Sequence, residues 1–189
     1  AAGKQAVALL TAYAQRADPE TRALAAAAWG EIGNTTAIPA LKKALRDKNI
    51  GVRIAAAGSL HRLGDDEAAA QALTAIIRKR TTASASPEQV MRRLARDQAR
   101  AKAIAALSEF GGEEAVELFE EMLRDPSEAV REATSLALAR MGLDEFGNPF
   151  IEAAHSKDEA VRSTAVRALG EIGLAEYFAV VRDAMADAS

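Results

Sequence analysis

Small residues recur three residues after an arginine and large apolar ones at seven and ten, and a glycine follows at eleven, five times along the chain. The pairs are Arg22/Gly33, Arg53/Gly64, Arg100/Gly111, Arg131/Gly142 and Arg162/Gly173. Successive arginines stand 31, 47, 31 and 31 residues apart, so one period governs the array and one gap carries 16 extra residues. The first offset holds Ala25, Ala56, Ala103, Thr134 and Ala165, small enough to let a neighbouring helix approach. The second holds Trp29, Leu60, Leu107, Leu138 and Leu169, and the third Ile32, Leu63, Phe110, Met141 and Ile172. These offsets share one stripe of a 3.6-residue helix. Glycine is the residue type that takes up the left-handed backbone ending a helix.

A second helix is predicted after each glycine. Its apolar positions are Leu41, Ala72, Phe119, Phe150 and Val181, then Leu45, Ile76, Leu123, Ala154 and Met185 one turn on. Asn34 or Thr35, Asp65 and Asp144 offer caps for orphan amides, and Asp18-Pro19 and Asp125-Pro126 mark turns between units. One such hairpin of about 31 residues cannot bury its own apolar face, so neighbours must stack. The predicted fold is therefore all-α, a right-handed α-solenoid of five two-helix repeats near 18–48, 49–79, 96–126, 127–157 and 158–189. One period before Ile38, Leu41 and Leu45 stand Val7, Leu10 and Ala14, which predicts an N-terminal half-repeat over 1–17. The whole is expected to form a single domain. Neither end carries the polar outer face of a dedicated cap, so the chain is expected to be a segment of a longer protein or a processed product.

The extra residues, near 80–95, interrupt the period. TTASAS at 81–86 reads as a loop, and Ser86-Pro87-Glu88-Gln89 has the form of a capping box with Pro87 at the first helical position. Val90, Met91, Leu94, Ile104 and Leu107 are expected to anchor a first helix longer than its neighbours by two or three turns. The same region is basic: residues 78–102 hold eight cations against Glu88 and Asp97. Such a surface suits an acidic peptide, an acidic protein face or phosphates; the alternative is that it solvates a long helix. Arg100 belongs to the repeat register and is expected to be structural. In the fourth repeat Phe146-Gly147-Asn148-Pro149-Phe150 is expected to shorten or restart the second helix. The favoured reading is an ordinary proline near a helix start, as at Pro39; the other is a break that opens a groove beside Phe146 and Phe150.

Composition sharpens this picture. Alanine supplies 46 of 189 residues and aromatics only eight, which favours close-packed helices. The net charge of −3 hides +7 over residues 1–110 and −10 over 111–189. Such a chain can orient a partner of opposite polarity or another copy of itself. Cysteine is absent, which excludes disulfides, thiolate metal sites and cysteine nucleophiles. His61 and His155 fall in the second and fourth repeats, too far apart to share a metal, and each falls near a helix end where a cation offsets the dipole. No phosphate loop or nucleophile elbow appears, and GEIG at 30–33 and 170–173 is a helix terminus. No apolar run approaches the ~18 residues of a membrane span. With no targeting pattern read, the cytoplasm is the default compartment.

The segments VRSTAVRALGEIG and TRALAAAAWGEIG, the latter followed by AIPALKKALRD, resemble the short HEAT-like repeats of phycobilisome lyases. The resemblance covers the chain outside the insertion and implies a solenoid whose second helices face the partner. It also implies roles as adaptor, chaperone-like factor or bilin lyase-type enzyme; the His-Glu pairs of the HEAT-like hydroxylases are missing. The expected function is a non-catalytic protein-binding scaffold with no cofactor. Its candidate contacts are Arg78, Lys79, Arg80, Arg92, Arg93 and Arg96 of the basic region, with Lys42, Lys43, Glu114, Glu117, Glu121 and Glu152 on second helices. A lyase-type or chaperone role is the alternative, and nucleic-acid binding a lesser one, since the insertion has no aromatic residue to stack on a base.

Overall fold

The computed structural model describes residue 10, residues 18–79 and residues 86–186. The half-repeat expected over 1–17, the loop at 81–85, Arg80 and the side chain of Met185 lie outside the described residues. The chain forms two compact units, Ala1–Gly111 and Gly112–Ser189.

The first unit holds α1 (Pro19–Ile32), a 3-10 turn at Thr35–Ala37 that runs into α2 (Ile38–Ala44), then α3 (Ile50–Arg62), α4 (Asp66–Ile77) and α5 (Pro87–Leu107). The second holds α6 (Glu113–Met122), α7 (Glu128–Arg140), α8 (Asp144–Ala154), α9 (Glu159–Ile172), a 3-10 turn at Ala175–Tyr177, and α10 (Phe178–Ala186). No strand occurs among the described residues. Most helices pack on their neighbours in the chain, α4 on α3, α5 on α4, α7 and α9 on α8, while α1 packs past α2 on α3.

Local chemistry sets these bounds. Asp18 caps α1 by accepting from the amides of Glu20 and Thr21, and Asn49, Asp65 and Asp158 do the same for α3, α4 and α9. Gly33, Gly64, Gly142 and Gly173 end helices in the left-handed region, with φ of 67°, 83°, 84° and 73°. Gly111 does not adopt this conformation. The chain leaves α5 through a turn in which the Gly111 amide donates to the Leu107 carbonyl at 2.7 Å, so no left-handed residue is required. Asp144 is not a cap but the first residue of α8, where its charge favours the helix N-terminus.

The register maps onto the core. The small residues at the first offset, from Ala25 to Ala165, are buried in all five repeats, as are Trp29, Leu60, Leu107, Leu138 and Leu169. The third offset is less uniform: Ile172 is buried but Ile32, in the last turn of α1, is exposed. Close approach is visible between α1 and α3, where a Cβ on Gly30 would stand 2.6 Å from Ser59 Oγ. That hydroxyl donates to the Ala26 carbonyl at 2.8 Å, fixing the two helices in register.

In four of the five repeats the arginine closes the turn before its helix. Arg53, Arg131 and Arg162 donate to the carbonyls of Asp47, Asp125 and Ser156, each six residues upstream, at 2.9, 2.7 and 2.9 Å. Arg100 reaches back across the insertion to the carbonyl of Ile77, the last residue of α4, at 2.7 Å. A cation is thereby placed at the C-terminal end of the preceding second helix, where the carbonyls are otherwise unpaired. Arg22 uses its fork on the Asp47 carboxylate instead, at 2.7 and 2.8 Å.

Pro149 neither shortens nor restarts its helix, because α8 runs unbroken through it. Phe146 and Phe150 on either side pack against a core of Ala139, Ala154, Leu169, Ile172 and Tyr177. That packing holds the segment helical despite the missing amide.

Candidate functional site

The extended helix is the main departure from the repeat. The Ser86 hydroxyl accepts from the Gln89 amide at 3.4 Å, half of the expected capping box. From Pro87 the helix continues for 21 residues, against 13 or 14 in α1, α3, α7 and α9. Its C-terminal part is held by buried Asp97, Arg100, Ala103, Ile104 and Leu107. Arg100 is 2% exposed and pairs with Asp97 at 3.5 Å as well as with the Ile77 carbonyl, which makes it a structural residue.

Residues 86–95, by contrast, are exposed throughout. Val90, Met91 and Leu94, expected as anchors, are 39%, 65% and 47% exposed. The helical pattern is real, and α3 and α4 pack on α5, but its burial begins only at Arg96. Beside this apolar strip stand Arg92, which pairs with Glu88 at 2.6 Å, and Arg93. A projecting pair of helical turns with apolar and cationic side chains both in solvent is a surface suited to a partner.

The other sequence-predicted residues distribute around it. Arg78 caps the end of α4, and Lys79 and half-buried Arg96 meet in a pocket of about 350 Å³ that also takes in Arg53, Leu45, Ile50 and Ile76. Sequence reasoning placed Arg53 only in the repeat register; that its side chain reaches the same pocket follows from the turn it closes. Lys42 pairs with Asp65 at 2.8 Å and holds that carboxyl below the usual carboxylate range, while Lys43 is simply exposed. In the second unit Glu114, Glu117 and Glu121 line the outer face of α6, and Glu152 is exposed on α8. Glu117 and Glu121 share a shallow pocket of about 450 Å³ with Glu120, which the sequence reading passed over, and with Arg124. A separate apolar groove of about 460 Å³ lies beside Pro149 and Phe150, against Val161 and Ala165. The groove exists without the helix break that was offered as its cause.

His61 stacks on Phe110 with ring centroids 4.2 Å apart, and its Nδ1 lies 2.7 Å from Asp66. It sits in the last turn of α3, and His155 directly follows α8. Among the described residues no group of three ligating side chains is placed to hold a metal ion, and no helix is long and apolar enough to cross a membrane.

Comparison with known proteins places this geometry. A family model of HEAT repeats matches residues 6–85 and 85–149. Among solved structures, the complex of CpcE and CpcF of phycocyanin lyase from Nostoc sp. PCC7120 is similar, with 25% identity and a TM-score of 0.57. The match covers 92% of this chain and 67% of that one. No curated protein matches.

Proposed function

The chain belongs to the HEAT-repeat family, with an all-α fold of the solenoid type, and we propose that it is a non-catalytic scaffold or adaptor whose protein partner docks on the N-terminal turns of α5. The observation that carries this reading is the exposure of every residue from 86 to 95, Val90, Met91 and Leu94 included. A partner that covers these three gains apolar burial at about 25 cal/mol per Å². Arg92 and Arg93 favour an acidic rim on that partner and speed its encounter at low salt. The similar structure is itself a complex of two different proteins, which supports a protein rather than a small-molecule partner.

The test compares capture from a source-cell lysate by the native chain and by Arg92→Glu/Arg93→Glu, with nuclease present. Arg96 is left in place because it lines the neighbouring pocket. One protein should be lost from the variant, at least about tenfold, since like charges across an interface cost several kcal/mol. Equal capture by both would remove α5 as the docking surface.

A second reading, a lyase-related subunit, is favoured by the likeness to the phycocyanin lyase complex. Incubating the chain with a bilin and an acceptor protein separates the two. Covalent attachment to the acceptor would support the lyase role; none would leave the adaptor.

A further inference from the structure

Among the described residues, the wall of the pocket of about 350 Å³ in the first unit holds three cations, Arg53, Lys79 and Arg96, and no carboxylate. Arg53 spends one nitrogen on the Asp47 carbonyl. Among the described residues no carboxylate pairs with Lys79 or Arg96. The rest of the wall is aliphatic, chiefly Leu45, Ile50 and Ile76. Converging cations over an apolar floor raise the local potential for an anion, and a carboxylate on an aliphatic stem satisfies both parts of the wall. A glutamate side chain has that form.

Elsewhere the same chain carries a ridge of this chemistry. Glu113, Glu114, Glu117, Glu120 and Glu121 all stand exposed on α6, five glutamates in a helix of ten residues. Glu117 and Glu120 are one turn apart, with Cβ atoms about 5–6 Å from one another, so both can reach a single cationic mouth. Among the described residues lining that surface, Arg124 at the end of the ridge is the one cation. Residues 1–110 carry +7 and residues 111–189 carry −10, so the two features sit in units of opposite sign.

We propose that the Glu117–Glu120 ridge of one copy of this chain docks on the Arg53–Lys79–Arg96 pocket of a second copy, in a salt-sensitive head-to-tail association. The contact does not use Val90, Met91 or Leu94, so it leaves the proposed partner surface on α5 open. Because each copy carries both a donor ridge and an acceptor pocket, association continues with concentration unless the rotation closes.

Sedimentation equilibrium of the full chain tests this at about 0.01 M salt, where charges act over ~30 Å, and at about 1 M, where they act over ~3 Å. The average mass should rise with concentration at low salt and return to that of a single chain at high salt. Lys79→Glu/Arg96→Glu and Glu117→Lys/Glu120→Lys should each weaken association at least about tenfold. Mixing the two reversed proteins should restore it, because each then offers the other a complementary surface, and restoration also shows that both are folded. The neutral Lys79→Gln/Arg96→Gln should weaken association with no change in helicity by circular dichroism. A native chain that stays single at low salt, reversals without effect, or a mixture that does not recover would overturn the proposal. Arg92→Glu/Arg93→Glu serves as the separating control: it should lose the captured partner while weakening self-association far less than Lys79→Glu/Arg96→Glu does.

Discussion

Arg53, Arg131 and Arg162 show why the repeat keeps an arginine at one register position. The guanidinium carries a fixed charge and several donors on a planar fork, so it satisfies turn carbonyls and offsets the helix dipole together. Arg22 and Asp47 add a carboxylate to this scheme, and their bidentate contact holds the Asp47 carboxyl below the usual carboxylate range. A depressed folded-state value means that the contribution is present above the unfolded value, near 3.9, and is lost as pH falls through the folded one. Asp47→Asn is expected to cost about 1–3 kcal/mol at neutral pH, read from urea unfolding, with the difference from the native chain closing below about pH 4. A difference independent of pH would show that packing rather than charge supplies the contribution. The period and the identity of these arginines were legible in the sequence. Their acceptors were not, because a backbone carbonyl six residues upstream has no side-chain signature. Gly111 shows the converse limit: the residue kept its place in the pattern while the turn around it closed another way.

At the scale of elements, α5 and α8 are the two irregular helices, and periodicity read them unequally. The Ser86-Pro87 start of α5 and its extra turns follow from capping chemistry. The exposure of Val90, Met91 and Leu94 does not, since a stripe at helical spacing says which residues share a face and not what covers it. In α8, Pro149 predicts a shortened or restarted helix, with an ordinary proline near the helix start as the favoured reading over a break; the helix runs on unbroken because Phe146 and Phe150 pack on either side of it. The neighbouring Gly147 is the stricter requirement. A Cβ there would fall within the contact distance of the Tyr177 hydroxyl and stand 2.9 Å from its Cζ. Gly147→Ala is therefore expected to destabilise the chain by about 1–3 kcal/mol in urea unfolding, as overpacked cores do. Tyr177→Phe in the same background should recover part of that loss; no recovery would place the strain elsewhere.

For the whole molecule, the family and the all-α fold were readable from the 31-residue period, and the HEAT-repeat match supports that reading directly. Charge was readable too, and the change of sign falls at the boundary between the two compact units. The site was legible only in part. Lys79 and Arg96 come together with Arg53, whereas Arg92 and Arg93 stand apart on the exposed turns of α5, a division that a count of basic residues cannot make. Arg92→Glu/Arg93→Glu should leave urea stability within about 0.5 kcal/mol of the native value, as surface substitutions do, while weakening the partner. The most direct measurement is amide hydrogen exchange of the full chain, alone and bound to the captured partner. The account requires slowed exchange across Pro87–Arg96 in the complex; unchanged exchange there, with protection confined to other helices, would contradict it.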